Sequence, residues 1–488
     1  MNRIDHTKTP LFTALKEHMD KDIVPFHVPG HKYGHGNPEL LEFLGENTMK
    51  ADVNGMEDLD NACNPISVIK EAEEYLADAF GAESAYFLVN GTTSGIQAMI
   101  MSAVRPGEQI IIPRNAHKST IGGVILSGAI PIYVPSEINE ELGIAMGVAA
   151  SVIKKAVEIH DFAKAVFVVN PTYYGAVSDL KAIVRSAHRN GTAVLVDEAH
   201  GAHMHFHDDF PLTAMEVGAD MSACSTHKTG GSLTQSSVLL LRGNMIEKEK
   251  VKQVINLTFT TSASYLLMAS IDTARKLLAT KGEGMLEETL GLCRYARKRL
   301  NEIEGIYAFG RELIGNPGCY DLDETKLGIH VRRLGISGFE MEKVLRDEYS
   351  IQVEMSDIYN VMAVISLGDK KEDIDKLVDA VADIAKKRGV HDVKNIICLP
   401  DMPELIVSPR DAFYSHKRAI PLEECAGEIC AEMIMAYPPG IPIICPGERI
   451  TKDIIDYVKI LKEENCQMQG TADPYVNYIR VLGRSIGE

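Results

Sequence analysis

The sequence of 488 residues predicts an α/β fold built on a seven-stranded, mostly parallel β-sheet. Two observations support this prediction. Seven short apolar runs lie between residues 85 and 241, and segments with helical periodicity separate most of them. Strands covered by helices on both faces are apolar along their whole length, as is typical of parallel sheets. The runs are Ala85–Val89, Gln109–Pro113, Ile130–Val134, Ala165–Val169, Ala193–Asp197, Met221–Cys224 and Ser237–Leu241.

The segment before the first strand is predicted to be an N-terminal arm, residues 1–64, followed by a helix. Thr9 can cap a first helix in which Pro10 suits the first position. A stretch rich in Gly, Pro and His, Phe26–Gly36, is expected to form an ordered loop. Apolar residues at helical spacing then predict a helix over Pro65–Phe80.

The large domain is expected to span residues 65–305 and to end in a long helix from about Tyr265 to Leu300. Residues 306–390 predict a smaller α+β domain. Residues 391–488, after a Pro-rich break that begins at Leu399, predict a C-terminal domain. The expected pieces of the small domain are a strand at 327–331, a helix over Phe339–Tyr349, strands at 351–355 and 361–367, and a helix at 374–387.

The composition disfavours two classes of partner. Asp and Glu number 68 against 50 Lys and Arg, which gives a net charge of −18. An acidic protein does not attract nucleic acid or an anionic membrane at long range, whereas it attracts a small cationic substrate. The first residues do not resemble a secretory signal, and the apolar runs are far shorter than the roughly 18 residues of a membrane span. Nine scattered cysteines without a Cys-x-x-Cys pair indicate reduced thiols and a cytoplasmic protein.

Ligands of open α/β sheets bind beyond the carboxyl ends of the strands, so the residues that follow each strand are candidates for a site. The motif NGTTSG, Asn90–Gly95, follows the first strand and opens a helix, where hydroxyl and backbone N–H groups can hold a phosphate. Its hydroxyl residues are Thr92, Thr93 and Ser94. Hydroxyl residues at the start of a helix are also explained by ordinary helix capping, without a phosphate. His117 follows the second strand and can either stack on a ligand or lie in a surface loop.

Two charged residues complete this set. Asp197 ends an apolar strand, so its carboxylate is partly desolvated and needs a cationic or N–H partner, unless it caps the next helix. Lys228 follows the sixth strand, and a lysine there can form a Schiff base if its pKa is lowered. Together the four features match what pyridoxal phosphate requires: a phosphate anchor, a stacking residue, a carboxylate for the pyridine nitrogen and a lysine for the aldehyde.

Motifs along nearly the whole chain resemble those of the Orn/Lys/Arg decarboxylases, which are pyridoxal-phosphate enzymes of fold type I. The resemblance is greatest to the short bacterial, arginine-specific form of the family. Its most specific motifs are VLVDEAHGAH around Asp197 and STHKTGGSLTQSS around Lys228. The other motifs are FHVPGHKYG, NGTTSG, IIPRNAHKS, NPTYYG, TTSASYLLMASID, PRDAF and YPPGIPIICPGE. The resemblance implies the pyridoxal-phosphate-dependent transferase fold.

The resemblance also implies a role for individual residues. Lys228 carries the cofactor as an aldimine, Asp197 pairs with the pyridinium nitrogen, and His117 stacks on the ring. Further residues surround the phosphate and the lysine or line the other face of the ring. They are Thr92, Thr93, Ser94, Ser225, His227, Ala199 and His200.

Thr261 matches a residue that reaches the phosphate from the partner subunit. The resemblance therefore implies a homodimer, or a small multiple of dimers, with shared active sites. Members of the family often have Pro or Thr where Ala263 stands here, and Thr260 and Ser262 are the hydroxyl residues on either side of Thr261.

The implied reaction is decarboxylation of a basic amino acid, L-arginine to agmatine and CO₂, through an external aldimine and a quinonoid. His227 or Lys228 would return the proton to Cα. The cationic end of the substrate needs an acidic partner, for which Glu448 and Asp411 are the candidates, although both can be structural carboxylates. Lysine and ornithine are alternative substrates. An aminotransferase or an aldolase is an alternative reaction, because a fold does not determine a function.

A metal-dependent hydrolase is a different interpretation of the same sequence. His200, His203, His205 and His207 form one cluster, and the N-terminal loop contains another. Neither cluster has a recognised ligand spacing, and a metal leaves the lysine and the hydroxyl-rich turn without a role, so we expect no metal. A non-catalytic homologue would have lost the lysine or the aspartate, and both are present.

Overall fold

The computed structural model describes residues 4–21, 23–391, 400–436, 440–464 and 466–483. The helices are α1 (Pro10–Met19), α2 (Pro38–Leu44), α3 (Glu46–Ala51), α4 (Val68–Ala79), α5 (Gly91–Ala103), α6 (Lys118–Ser127), α7 (Ala150–Ile159), α8 (Leu180–Arg189), α9 (Ala214–Val217), α10 (Thr226–Thr229), α11 (Lys248–Thr258), α12 (Tyr265–Leu300), α13 (Gly338–Tyr349), α14 (Lys371–Arg388), α15 (Pro409–Tyr414) and α16 (Lys452–Glu463). Within these ranges, no helix is long and apolar enough to cross a membrane.

The strands follow the same order along the chain. They are β1 (Ser84–Leu88), β2 (Gln109–Pro113), β3 (Ile130–Val134), β4 (Ile138–Asn139), β5 (Ile144–Ala145), β6 (Ala165–Val169), β7 (Ala176–Val177), β8 (Ala193–Asp197), β9 (Met221–Cys224), β10 (Ser237–Leu241), β11 (Tyr307–Ala308), β12 (Asp321–Leu322), β13 (Lys326–His330), β14 (Met355–Ser356), β15 (Asn360–Val364), β16 (Lys417–Pro421), β17 (Ile434–Ala436), β18 (Pro442–Ile444), β19 (Met468–Gln469) and β20 (Tyr478–Leu482).

The seven predicted strands form one mostly parallel sheet in the order β1-β10-β9-β8-β6-β2-β3, which confirms the predicted fold class. Strand β8 runs parallel to β9, and β2 runs parallel to β3 and β6. Strand β10 is the exception, because it pairs antiparallel with both β1 and β9. Strands β1, β8, β9 and β10 are buried at every position, which explains why their sequences are apolar without alternation.

The chain divides into two compact units, and each is described by itself. The first unit contains Met1–Ser102 and Leu195–Leu286, and the second contains Ala103–Val194 and Glu287–Glu488. The first carries β1, β9, β10 and the end of β8, whereas the second carries β2, β3, β6 and the smaller sheets. The domain boundaries expected after residues 64, 305 and 390 stay predictions.

In the first unit, helix α5 comes close to the sheet because residue 95 is a glycine. A Cβ atom at Gly95 would lie 2.7 Å from Leu88 Cδ1 and 3.1 Å from the Cβ of Ala223. These neighbours belong to β1 and β9. The glycine therefore sets the distance between the sheet and the start of α5, where the NGTTSG hydroxyls lie.

Helix α1 is capped by a residue from far along the chain. Thr9 occupies the N-cap position, but its hydroxyl makes no capping bond and lies 3.1 Å from the Thr13 hydroxyl. The carboxylate of Asp272, in α12, accepts the N–H groups of Leu11 and Phe12 at 3.1 and 3.2 Å. The expected cap by Thr9 is therefore wrong, because a carboxylate is a stronger acceptor for these N–H groups than a hydroxyl.

The second unit contains a four-stranded antiparallel sheet in the order β11-β13-β15-β14, which shares a core with α13 and α14. The strand expected at 351–355 is wrong for most of its length, since only Met355–Ser356 forms β14. Ser350 has a φ of 56°, and the N–H of Ile351 donates to the Leu345 carbonyl at 2.9 Å. The start of the segment therefore terminates α13 instead of pairing with a neighbouring strand.

The C-terminal part of the second unit has a small core of its own. Two short sheets, β16-β20 and β18-β17-β19, contribute to it together with α16. Leu399, where the Pro-rich break was expected to begin, lies outside the described residues. The buried core residues are Leu422, Cys425, Cys430, Ile434, Ile444, Ile450, Ile454, Ile455, Val458, Val476, Ile479 and Val481.

Replacing Gly95 with alanine should lower the free energy of unfolding by about 1–3 kcal/mol, because the added methyl group overlaps Leu88 and Ala223. Gly284, in α12, is the matched control. No described atom outside its own helical turn lies within 4 Å of a Cβ built there, so Gly284→Ala should raise stability by about 0.5–1 kcal/mol. Thermal unfolding followed by circular dichroism tests both the expected loss of stability in Gly95→Ala and the expected gain in Gly284→Ala. A Gly95→Ala protein as stable as the wild type would contradict the close packing.

Candidate active site

The predicted aspartate and lysine lie at the carboxyl ends of two neighbouring strands in the first unit. Asp197 is the last residue of β8, and it stands opposite Ala223 in the parallel pair of β8 and β9. Lys228 lies in α10, the short helix that follows β9. Its Nζ atom is 2.8 Å from His200 Nε2. The structure therefore brings two residues of the DEAHGAH motif and the lysine to one edge of the sheet.

Asp197 is a desolvated carboxylate. The residue is only 4% exposed. Burial raises the pKa of Asp197 to about 6, and this rise is opposed by a hydrogen bond from the Ala199 N–H at 3.0 Å and by the charge of Lys228. A buried carboxylate of this kind is stabilised by any partner that brings a proton or a positive charge.

Three hydroxyl groups form a buried cluster at the start of the lysine helix. Thr92 Oγ1 lies 2.5 Å from Ser225 Oγ and 2.9 Å from Ser237 Oγ. Ser225 is the N-cap residue of α10. The cluster therefore joins the beginning of α5 to the beginning of the helix that carries Lys228.

The other hydroxyls of NGTTSG differ in their surroundings. Thr93 is exposed in the first turn of α5, whereas the Ser94 hydroxyl donates to the Gly91 carbonyl at 2.8 Å. Gly91 has a φ of 71°, which suits glycine, and its N–H donates to the Gln235 carbonyl at 2.9 Å. The first N–H groups of a helix have no acceptor within the helix, so this exposed turn can receive an anion.

His227, beside the lysine, is oriented by a main-chain acceptor. Its Nδ1 atom donates to the Ser236 carbonyl at 2.8 Å, which requires a proton on Nδ1. The Lys228 N–H donates to the Ser225 carbonyl at 3.1 Å, so the helix is fixed on both sides of the histidine. This geometry leaves Nε2 as the nitrogen of His227 that can accept a proton.

Thr261 lies in the loop before α12 and is exposed. In the same loop, Thr260 Oγ1 accepts the N–H of Ser262 at 3.1 Å. Ala263, in the same loop, is buried. The role of Thr261 in a partner subunit's site stays a prediction.

In the second unit, His117 is the N-cap residue of α6. Its Nδ1 atom accepts the N–H of Ser119 at 3.3 Å and lies 2.8 Å from Ser119 Oγ. A ring nitrogen that accepts from a backbone amide carries no proton, so the proton of a neutral ring is on Nε2. The contact orients the imidazole, and its stacking on a cofactor stays a prediction.

Glu448 is fully buried and forms an ion pair within the second unit. Its Oε2 atom accepts from Arg114 Nη2 at 2.9 Å and from the Cys445 N–H at 2.6 Å. Burial raises the pKa of Glu448, and the charge of Arg114 opposes the rise. The charge of this carboxylate is balanced inside the protein, which favours the structural alternative to a substrate contact. Residues 437–439, the first three of the YPPGIPIICPGE motif, lie outside the described part of the chain.

Asp411 lies in the first turn of α15 and contacts Ser408, the N-cap residue of that helix. The Ser408 hydroxyl donates to Asp411 Oδ2 at 2.6 Å and accepts the Asp411 N–H at 3.1 Å at the start of α15. The Ser408 hydroxyl thereby satisfies the Asp411 N–H, which has no acceptor within the helix, and the Asp411 carboxylate holds that hydroxyl in place. A substrate contact by Asp411 stays a prediction, and the observed contact favours its structural alternative.

Sequence reasoning did not single out Glu198, the neighbour of Asp197. Glu198 is 1% exposed, its Oε1 atom accepts the Ala214 N–H at 2.8 Å, and its Oε2 atom accepts the Ser222 hydroxyl. Burial raises the pKa of Glu198 to about 7, although these hydrogen bonds lower it. Glu198 therefore ties the end of β8 to β9 and to the start of α9. A second carboxylate directly after an apolar strand is the sequence signal by which Glu198 could have been found.

The histidines that could have bound a metal ion in a hydrolase contact other side chains. His31 Nε2 lies 3.1 Å from Asp52 Oδ2, and His205 Nδ1 lies 3.4 Å from Glu216 Oε1. His200 contacts the lysine, as described above. Over the residues that the structure describes, no group of three His, Cys, Asp or Glu side chains is arranged to hold a metal ion.

Comparison with known proteins gives the family. The Orn/Lys/Arg decarboxylase major domain matches residues 9–373, and the C-terminal domain of the same family matches residues 394–473. This chain belongs to the Orn/Lys/Arg decarboxylase family. The arginine decarboxylase of Bacillus subtilis is 47% identical over 479 residues, which are 97% of this chain and 98% of that protein. The arginine decarboxylase of Bacillus anthracis is 44% identical over 486 residues, 99% of each chain.

The fold agrees with that of this decarboxylase family. The crystal structure of the lysine decarboxylase from Francisella novicida has a TM-score of 0.84 to this chain, with 23% identity, over 97% of this chain and 81% of that chain. The predictions of fold type I and of a decarboxylase of this family are confirmed. Family membership also overturns the alternative of a metal-dependent hydrolase.

Replacing Glu198 with glutamine should stabilise this decarboxylase more at about pH 8 than at about pH 5. Burial raises the pKa of Glu198 from 4.5 to about 7, so the folded state retains a proton that the unfolded state has lost. The wild type therefore loses stability as pH rises through that window, and glutamine cannot ionise. The variant's advantage in unfolding free energy should grow by about 1–3 kcal/mol, measured by urea unfolding at both pH values. An advantage that is constant or shrinks with pH would show that Glu198 is not held protonated.

Proposed function

We propose that this protein decarboxylates L-arginine to agmatine and CO₂ with pyridoxal 5'-phosphate as cofactor. The observation that carries the choice of substrate is the 47% identity over nearly the whole chain to a protein named arginine decarboxylase. The arrangement of Asp197, His200 and Lys228 at adjacent strand ends supports the choice of cofactor. Lysine and ornithine, the other substrates in the family's name, are the alternatives.

The residues of the first unit fit pyridoxal phosphate. When bound, the cofactor supplies an electron sink for the electron pair left on Cα when the carboxylate departs. Asp197 is a buried carboxylate with a raised pKa, and a protonated pyridine nitrogen is the kind of partner that stabilises its charged form. Lys228 is the amine available for a covalent bond to an aldehyde. Thr93 and the first turn of α5 offer an exposed end for the phosphate, with Ser94 beside it.

Thr92, Ser225 and His227 hold this arrangement together. The hydroxyl of Thr92 is bonded to that of Ser225 at the N-cap of α10, so both fix the lysine helix. His200 Nε2 lies within hydrogen-bond distance of Lys228 Nζ and can exchange a proton with it. Lys228 through Nζ and His227 through Nε2 are the two candidates to return a proton to Cα, because Nδ1 of His227 is engaged by the Ser236 carbonyl. Ala199 contributes its N–H to Asp197.

Three further assignments extend this proposal. His117 would stack on the cofactor ring, and Thr261 would reach the phosphate of a partner subunit, so the active form would be a homodimer or a multiple of dimers. The substrate is a small cationic amino acid, which agrees with the net charge of −18. The eight cysteines in the described ranges are free thiols, which supports a cytoplasmic location.

Arginine, lysine and ornithine, supplied separately with pyridoxal phosphate, should give amine product from arginine at a kcat/KM at least about tenfold above the other two. Product detection by chromatography, together with CO₂ release, tests both the substrate and the reaction. Preferential release of cadaverine or putrescine would move the assignment to lysine or ornithine. Formation of a keto acid without CO₂ would indicate an aminotransferase.

Replacing Lys228 with alanine should abolish the visible absorption band of the bound cofactor and lower kcat by at least about 1,000-fold, because alanine has no amine to form the covalent bond. Lys248→Ala, on the exposed start of α11, is the matched control and should retain both the band and the activity. Borohydride reduction followed by peptide mapping locates the covalent bond. Full activity of the Lys228 variant would refute the proposed chemistry.

A further inference from the structure

The loop that carries His117 is fastened at several points within the second unit. The Nδ2 atom of Asn115 donates to the Met146 carbonyl at 2.9 Å. The N–H of Lys118 donates to the Gly440 carbonyl at 3.1 Å, so the C-terminal part of the chain contacts the loop directly. His117 itself caps α6 through Ser119. These contacts restrict the backbone on both sides of the imidazole.

Arg114, directly after β2, makes several contacts with the C-terminal part of the second unit. Its guanidinium donates to the Ile443 carbonyl and to Glu448 Oε2, both at 2.9 Å, and to Cys445 Sγ at 3.1 Å. It also lies over the ring of Tyr133, 5.3 Å from the ring centroid. A planar guanidinium with partners in three fixed directions defines the position of its own backbone, and a lysine ammonium cannot reproduce this geometry.

Glu448 supplies the opposite charge and belongs to the C-terminal part of the chain. Its side chain is fully buried, while that of Arg114 is 15% exposed. Glu448 Oε1 has no hydrogen-bond partner among the described residues, and the atom is buried so that water does not reach it. A substrate guanidinium is larger than water, so it cannot reach this oxygen without displacing the surrounding residues.

We propose that Arg114 and Glu448 are positioning residues that hold the loop Arg114–Lys118 and thereby fix the imidazole of His117 against the cofactor. This inference rests on the proposed function, in which His117 stacks on the ring of pyridoxal phosphate. The C-terminal PGE motif then orients His117 within the second unit, and Glu448 does not recognise the side chain of the substrate.

The first test compares the holoenzymes of the wild type, Glu448→Gln and Arg114→Lys. Each substitution weakens the pair, so the cofactor should dissociate about tenfold faster and its visible circular dichroism should change. The KM for arginine should stay within about twofold of the wild type, because the substrate is not contacted. Glu404→Gln is the matched control, because it breaks an exposed ion pair in the same part of the chain, in which Arg449 Nε lies 3.6 Å from Glu404 Oε2. This substitution should leave the visible circular dichroism and the rate of cofactor dissociation unchanged.

A double-mutant cycle with His117→Ala tests whether the effect passes through the imidazole. If it does, adding Glu448→Gln to His117→Ala should not accelerate cofactor dissociation further. Fully additive effects would overturn the proposal. A rise in KM of tenfold or more, which corresponds to about 1.4 kcal/mol, with unchanged cofactor dissociation would assign Glu448 to the substrate. That result would also overturn the proposal.

A variant that removes both charges is the control for the case in which a single substitution unfolds the protein. An unpaired buried charge destabilises a protein more than loss of the whole pair does. Arg114→Met combined with Glu448→Leu should fold and should still release the cofactor about tenfold faster than the wild type. A folded double variant with wild-type dissociation would refute the positioning role. A wild-type protein that neither binds pyridoxal phosphate nor forms agmatine would instead refute the proposed function, so the two failures can be told apart.

Discussion

Burial of the Asp197 carboxylate is the constraint on which the rest of the site depends. A carboxylate at the end of a fully buried strand is costly unless a proton or a cation accompanies it, and burial raises its pKa to about 6. The parallel pairing of β8 with β9 places the carboxyl ends of both strands at one edge of the sheet. Lys228, which follows β9, therefore lies near Asp197 and supplies a positive charge. The same geometry provides a place for a ligand that carries a protonated nitrogen.

Polar contacts around this edge keep the two strand ends in register. Glu198 joins β8 to β9 and to α9, and the hydroxyl cluster of Thr92, Ser225 and Ser237 joins the start of α5 to the lysine helix. Glycine at position 95 lets α5 lie close enough to the sheet for these contacts to form. The polar network and the close packing are therefore parts of one arrangement.

The sequence predicted most of the fold, since burial on both faces makes a strand continuously apolar and helical periodicity marks what lies between strands. It failed where a tertiary contact replaced a local one. Thr9 has the right chemistry for a cap, but the carboxylate of Asp272 occupies the N–H groups of the first turn. The segment at 351–355 has strand-like composition, but its first residues terminate α13. Sequence patterns carry no information about such competitors.

The sequence by itself determined the strands, the motifs at their ends and the family, because these depend on residue type and local order. The tertiary structure decided which polar groups are already satisfied. Asp411 and Glu448 look alike as acidic residues in family motifs, yet Asp411 accepts the hydroxyl of the N-cap residue of α15 and Glu448 is buried against Arg114. Whether a carboxylate is available to a substrate depends on partners that are distant in sequence, and only the folded chain brings those partners together.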